Sequence, residues 1–189
     1  MARLPIVQPG ASSPAVAAAL AKLPPMNMLR LVANADAVFE PWLRFAGAVL
    51  NETTLDPVLR ELAILRVAAL SPGADYEWDQ HVVIARDVGV SEAQIEAART
   101  GAGAGGAALS GDDALVCRFT EQVVRDVSPS DATFAAIAAR FSTREIVELL
   151  LVIGQYMLVA RLAATARIDP DPPAGSSLLA ALTGAATRE

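Results

Sequence analysis

Residues 60–85 read RELAILRVAALSPGADYEWDQHVVIA, and this stretch decides the fold. As far as Leu70 it is a run of good helix formers, and with Leu59 the apolar residues Leu62, Ala63, Leu65, Val67 and Leu70 cover more than one helical face. Such a helix is buried on several sides. Ser71-Pro72-Gly73 then forces a turn. A second helix follows from about Asp75 to Val88 and ends at Gly89, so the turn folds the two helices back on each other. The same stretch holds the only histidine, His81, two glutamates, Glu61 and Glu77, and the aromatic pair Tyr76 and Trp78. Most of the remaining chain is alanine, leucine and valine, so any polar chemistry is expected here.

The 189 residues suffice for one domain with a real core. Alanine and leucine dominate, and no run alternates with the period of a strand, which predicts an all-α protein. The net charge of −6 argues against a general nucleic-acid binder, which needs a basic surface to displace counterions. The single lysine, Lys22, lies far from the polar cluster, which argues against Schiff-base chemistry. Cys117 stands alone, so there is no CxxC pair, and it is expected in the core. MARLPIVQPG has no signal-peptide pattern, and the most apolar run, residues 146–166, is interrupted by Glu148, Gln155 and Arg161. The reading is a buried central helix, no membrane span and a cytoplasmic location.

Outward from residues 60–85, helix signals recur. Residues 1–11 read as an extended arm. Ser12 or Ser13 caps a short helix to about Leu23, with Pro14 in its first turn and Pro24-Pro25 as its stop. Residues 26–50 keep helical spacing but contain Pro41, which predicts two helices with Asp36 as cap of the second. Asp56-Pro57 starts the next. Ser91 caps SEAQIEAART, residues 110–127 are helical, and Ser130 or Asp131 caps a helix to about Phe141. Ser142 and Glu145 form a capping box opening a long helix to about Arg167. GAGAGG at residues 101–106 satisfies GxGxxG formally, but no strand precedes it and it reads as a linker. After DPDPPAGSS, residues 177–185 allow one more short helix, against a neighbouring subunit or the surface. The expected division is an N-terminal extension (1–35), a helical domain (36–168) and a C-terminal tail (169–189).

Glu77 and His81 are i and i+4, on one helical face, where a carboxylate beside an imidazole makes a proton shuttle; the plain alternative is a surface pair. Glu61, on a buried helix, needs a partner, and Arg60, Arg66 and His81 are the candidates. One histidine with two glutamates is a poor metal site, and no GxSxG elbow exists.

These residues carry a resemblance. Arg60-Glu61-Leu62, then Tyr76-Glu77-Trp78 with His81, then Gly89-Val90-Ser91 to Ile95, resemble the carboxymuconolactone decarboxylase family, which includes the AhpD-like alkylhydroperoxidases. The run TREIVELLLVIGQYMLVARL is similar to the family's closing helix, with Glu145, Glu148 and Tyr156 in matching places, so the resemblance covers about residues 40–168. It implies an antiparallel AhpD-like helical bundle assembled as trimers or hexamers. Two departures narrow it. The paired-cysteine positions of the peroxidase branch hold Ala74 and Glu77, which excludes thiol chemistry of that kind. The histidine that precedes the final-helix tyrosine in the lactone decarboxylase pattern is Val152 here.

The function expected from this reading is a cofactor-independent, decarboxylase-like enzyme acting on a small carboxylated lactone or related cyclic acid. His81 is the general acid/base, Glu77 or Glu61 orients it, Tyr76 and Trp78 shape an apolar pocket, Tyr156 lies at the substrate, and Arg66 either binds a substrate carboxylate or faces Glu61. The alternatives are a non-thiol hydroperoxidase or isomerase, or an inactive oligomeric scaffold. A pocket lined by His81, Glu77 and Glu61 favours an enzyme; a filled interior with Glu61 paired to arginine favours the scaffold.

Overall fold

A computed structural model describes residues 2–8, 10–73, 75–101, 109 and 111–186. Among them it has ten helices and no strand: α1 (Pro14–Leu20), α2 (Asn27–Val32), α3 (Asp36–Asn51), α4 (Pro57–Leu70), α5 (Asp75–Asp87), α6 (Glu92–Thr100), α7 (Gly111–Asp126), α8 (Asp131–Ala138), α9 (Thr143–Ala166) and α10 (Ser176–Ala186). The predicted all-α class is what the chain adopts.

The centre is α4. Asp56 starts it by accepting from the backbone N–H groups of Val58 (2.8 Å) and Leu59 (3.3 Å), and Pro57 sits where no N–H is needed. Every residue from Leu59 to Ala68 is buried, because α5, α6, α7 and α9 all pack around it. Leu59, Ala63, Ile64 and Val67 join the main core with Phe39, Phe119 and Ile153. Leu62, Leu65 and Ala68 form a second core with Trp78, Ile95 and Cys117.

Local capping chemistry sets four further helix starts, whereas α2 and α3 start after Met26 and Ala35 with no side-chain cap, so Asp36 is the first residue of α3 and not its expected cap. Ser13 caps α1 and Ser130 caps α8, while Ser91 with Gln94 and Ser142 with Glu145 make full capping boxes for α6 and α9. The helices α1 and α8 stop short of the expected Leu23 and Phe141. A second expectation needs correcting. Pro41 does not break its helix: α3 runs through it, and the chain breaks earlier, at residues 33–35. The lost hydrogen bond is tolerated because Phe39, Leu43, Ala46, Gly47 and Leu50 bury a continuous stripe on either side. Of the GAGAGG linker, residues 102–106 lie outside the described residues, as does Ser110 at the start of the expected 110–127 helix.

Both ends of the chain fold onto the helical domain. In the arm, Arg3 N–H donates to Ala166 O (2.6 Å) and Val7 N–H to Arg30 O (3.1 Å). The tail helix α10 packs on α3 of its own chain, where a neighbouring subunit or the outer surface was expected. Gly47 permits this, since a Cβ there would lie 2.9 Å from Leu182 O.

The longest helix, α9, turns Leu149, Val152, Ile153 and Tyr156 inward and leaves Val147, Leu150, Leu151 and Leu158 exposed. It is long and apolar enough to cross a membrane by length and composition, with 50% of its most apolar window buried in the fold. Glu148 anchors its start: one carboxylate oxygen accepts from Thr54 N–H (2.7 Å), Thr54 Oγ1 (2.9 Å) and Leu55 N–H (3.0 Å), and the other pairs with Arg144. Glu148→Ala leaves these donors in the α3–α4 connection without their acceptor. It should destabilise the protein by about 1–3 kcal/mol in urea unfolding, with helicity unchanged under native conditions.

Candidate active site

Glu61 is completely buried on α4. A carboxylate in that position needs donors, and it has two from opposite sides. Arg60 Nε–H donates to one oxygen at 3.2 Å, and His81 Nδ1 lies 2.8 Å from the other. Both readings of Glu61, an arginine pair and a histidine pair, are therefore realised at once. A carboxylate accepting at Nδ1 fixes the proton on that nitrogen, which leaves Nε2 to face a ligand. The Tyr156 ring stands edge-on to the imidazole, with centroids 4.6 Å apart and planes at 86°.

His81 and Glu77 sit one turn apart on α5, and both are buried, at 4% and 2% exposure, so they are no surface pair. Nor are they hydrogen-bonded to each other: both Glu77 carboxyl oxygens are buried without a partner. Burial pushes the Glu77 carboxyl well above the ordinary carboxylate range, which makes it a neutral acid. The Tyr156 hydroxyl is also pushed up, by burial first and then by Glu61 and Glu77, with Arg60 opposing, so it stays a phenol.

These groups share one cavity of about 60 Å³, lined by Glu77, His81, Tyr76, Tyr156, Gln155 and Trp42 among apolar residues. Met26, Met28 and Leu29 close it from the N-terminal side, and Leu178 and Leu182 of α10 from the C-terminal side. Among the described residues, seven buried side-chain nitrogens and oxygens lack a partner; four of them, on Glu77, Gln155 and Trp42, belong to this lining. Orphaned polar atoms cost stability, and more than half of those among the described residues gather at this one cavity.

The structure brings Glu61, Glu77, His81, Tyr76 and Tyr156 together. Tyr76 is committed elsewhere at its tip, donating to Asp171 Oδ2 at 2.7 Å. Two expected residues are not at the site. Arg66 neither lines the cavity nor faces Glu61: its guanidinium donates to Ala98 O (3.1 Å) and Arg99 O (3.2 Å) and pairs with Glu121 (2.7 Å). It thus caps the C-terminal end of α6, a favourable place for a cation. Trp78 points into the second core, with the Arg99 guanidinium 4.3 Å over its ring. Cys117 is buried, and burial pushes its thiol up to about 12, against the pull of Arg66. Among the described residues no three His, Cys, Asp or Glu side chains converge as metal ligands.

The sequence reading named Arg60 among three candidate partners of Glu61 without choosing it, and missed Trp42 and Gln155 as wall residues and the roof from α2 and α10. Gln155 carried a signal, as a polar residue interrupting the apolar run of α9. Leu178 and Leu182 carried none, because only tertiary packing places them.

The fold and site define an all-α protein with a histidine–carboxylate centre on two adjacent antiparallel helices and no thiol pair. Residues 36–111 match the model of the carboxymuconolactone decarboxylase family. The match spans α3 to α6, a shorter stretch than the expected 40–168, and ends where α7 begins. No curated protein matches the chain.

The raised Glu77 carboxyl has a consequence for stability. Its ordinary value is 4.5 and its folded value is higher, so above pH 4.5 the folded chain holds a proton that the unfolded chain gives up. The stability tied to that proton is full below the ordinary value and is lost as pH rises through the folded one. Glu77→Gln removes this dependence. Its melting temperature should exceed that of wild type at neutral and higher pH, with the gap closing toward pH 4.5, as thermal melts across that range would show.

Proposed function

We propose that the chain is a cofactor-independent acid–base enzyme of the decarboxylase type, acting on a small carboxylated lactone or related cyclic acid. The observation that supports this most directly is the unpartnered, buried Glu77 carboxyl beside His81, whose ring is held at Nδ1 by Glu61. Glu77 is the proton donor, His81 Nε2 is the proton carrier, and Glu61 is the positioning residue that sets the imidazole tautomer.

In this reading the walls strip water from the substrate carboxylate, and no lysine or arginine among the lining residues replaces it. The bond from the ring carbon to the carboxylate breaks, CO2 leaves, and the electron pair stays on the ring as a dienolate. Glu77 transfers its proton to that carbon and is left as a carboxylate. That charge is unfavourable in so dry a place, and a solvent proton relayed through His81 restores the acid. The absence of a cation in the lining also supports a second reading, isomerisation of an uncharged carbonyl compound, in which Nε2 removes a proton and Glu77 supplies one. We extend the proposal to a homo-oligomer, trimer or hexamer, buried along the exposed Val147, Leu150, Leu151 and Leu158 face of α9.

A screen of carboxylated lactones, β-keto acids and small enolisable ketones tests the chemistry. His81→Ala should abolish turnover and Glu77→Gln should lower kcat by about 10²–10⁴-fold, both with the fold and assembly intact. Wild-type rates in both variants would sink the proposal. Activity should fall as pH rises through the raised Glu77 value, because only the protonated carboxyl can donate. Leu151→Glu, measured by light scattering, should yield monomers; an unchanged mass would remove the α9 interface.

A further inference from the structure

The cavity is too small for the substrate just proposed. A pocket that takes a single benzene ring measures about 150 Å³, against about 60 Å³ here, so a wall must move before any ring can bind. The walls differ in how they are held. Those from α5 and α9 are packed against the central helix α4, while the roof from α10 rests on α3 and hangs on a strap that follows α9.

That strap, residues 169–174, is fixed by polar contacts at both ends of the pocket. Asp171 Oδ2 accepts from Tyr76 Oη (2.7 Å) and from Asn27 N–H (2.5 Å). Gln80 Nε2 donates to Asp171 O (3.2 Å) and Pro172 O (3.4 Å), and Ala174 N–H donates back to Gln80 Oε1 (2.9 Å). Tyr76 and Gln80 each precede a pocket residue on α5, Glu77 and His81 respectively. At Gly175, with φ at +53°, the strap turns into α10 so close to α5 that a Cβ would lie 3.2 Å from Val83 Cγ1.

We propose that residues 169–186 form a hinged lid over the Glu77–His81 pocket, latched by Asp171 to Tyr76 and Asn27, and that the lid lifts to admit substrate. Hydrogen bonds to solvent replace the latch when it opens, so the cost of lifting lies mainly in the apolar contact that buries Leu178 and Leu182 against α3. Closing it returns Tyr76 and Gln80 to the strap and shuts water out.

The inference rests on reading this cavity as the substrate site, but its test reads access alone and needs no substrate. His81 is the only histidine, so carbethoxylation by diethyl pyrocarbonate, followed by peptide mass spectrometry, reports the exposure of its imidazole. Wild type should label far more slowly than free imidazole. Asp171→Ala removes the latch, and Gly47→Ala pushes α10 away because its Cβ meets Leu182 O at 2.9 Å while α3 itself gains helix propensity. Asp171→Ala, which loses two charge-assisted hydrogen bonds, should raise the labelling rate at least about tenfold when closing is fast, and Gly47→Ala should raise it through the steric clash. Tyr76→Phe provides a third, milder opening. Ile137→Val, a small truncation in the core at α8 that touches neither the latch nor the Gly47 contact, should leave the rate unchanged. Lid variants labelling at the wild-type rate, wild type labelling like free imidazole, or an equal rise in Ile137→Val would each overturn the lid.

Discussion

A carboxylate with no exposure to water, Glu61 on α4, is the constraint to which the rest of the site answers. Left alone it would cost several kcal/mol, so it must be met by donors that are themselves buried. Arg60 and His81 meet it from opposite sides, one from its own helix and one from α5. The pair does more than balance charge. It ties α4 to α5 at mid-height, selects the Nδ1–H tautomer and leaves Nε2 free for the pocket that His81 lines. The edge of Tyr156 then fixes the ring plane from α9. Three helices thus converge on one imidazole.

Glu77 shows the opposite economy. It has the same chemistry and the same burial but no partner, and it stays neutral instead. Two carboxyl groups bordering the same histidine are thereby separated in character by their surroundings, one a hydrogen-bonded anchor and one an acid with a proton to give. Gln155 and Trp42 add further unmatched polar atoms to the same walls. The apolar remainder of the lining keeps the dielectric low, so each of these groups interacts strongly with whatever occupies the space.

Features of this design that are local could be read from the chain. Asp56-Pro57, Ser71-Pro72-Gly73 and the Ser142–Glu145 box act within one turn of themselves, and the helices start and stop there. The burial of α4 was legible because its apolar residues cover more than one face. The partners of Glu61 were legible only as a set of three. Helical geometry excludes Arg66, which lies five residues on and therefore about 140° round the helix, but the choice of Arg60 is made by packing. A rotation of about 100° takes Trp78, next to Glu77 in sequence, into a different core. Pro41 misled because a single lost hydrogen bond is small beside the stripe of side chains that α3 buries. The roof over the site was out of reach, since Asp171 and Tyr76 lie 95 residues apart and no periodicity connects them.

That roof also fixes when the pocket can exist. Its walls come from residues near 26–29, 42–50, 76–81, 155–159 and 178–182, so no fragment shorter than residues 26–182 contains it. During synthesis the helices around α4 can assemble while α10 is still inside the ribosome, with Glu77 and His81 facing water. Enclosure comes when Leu178 and Leu182 settle on α3. The dry surroundings that make Glu77 an acid therefore form only after α10 has been made and has settled.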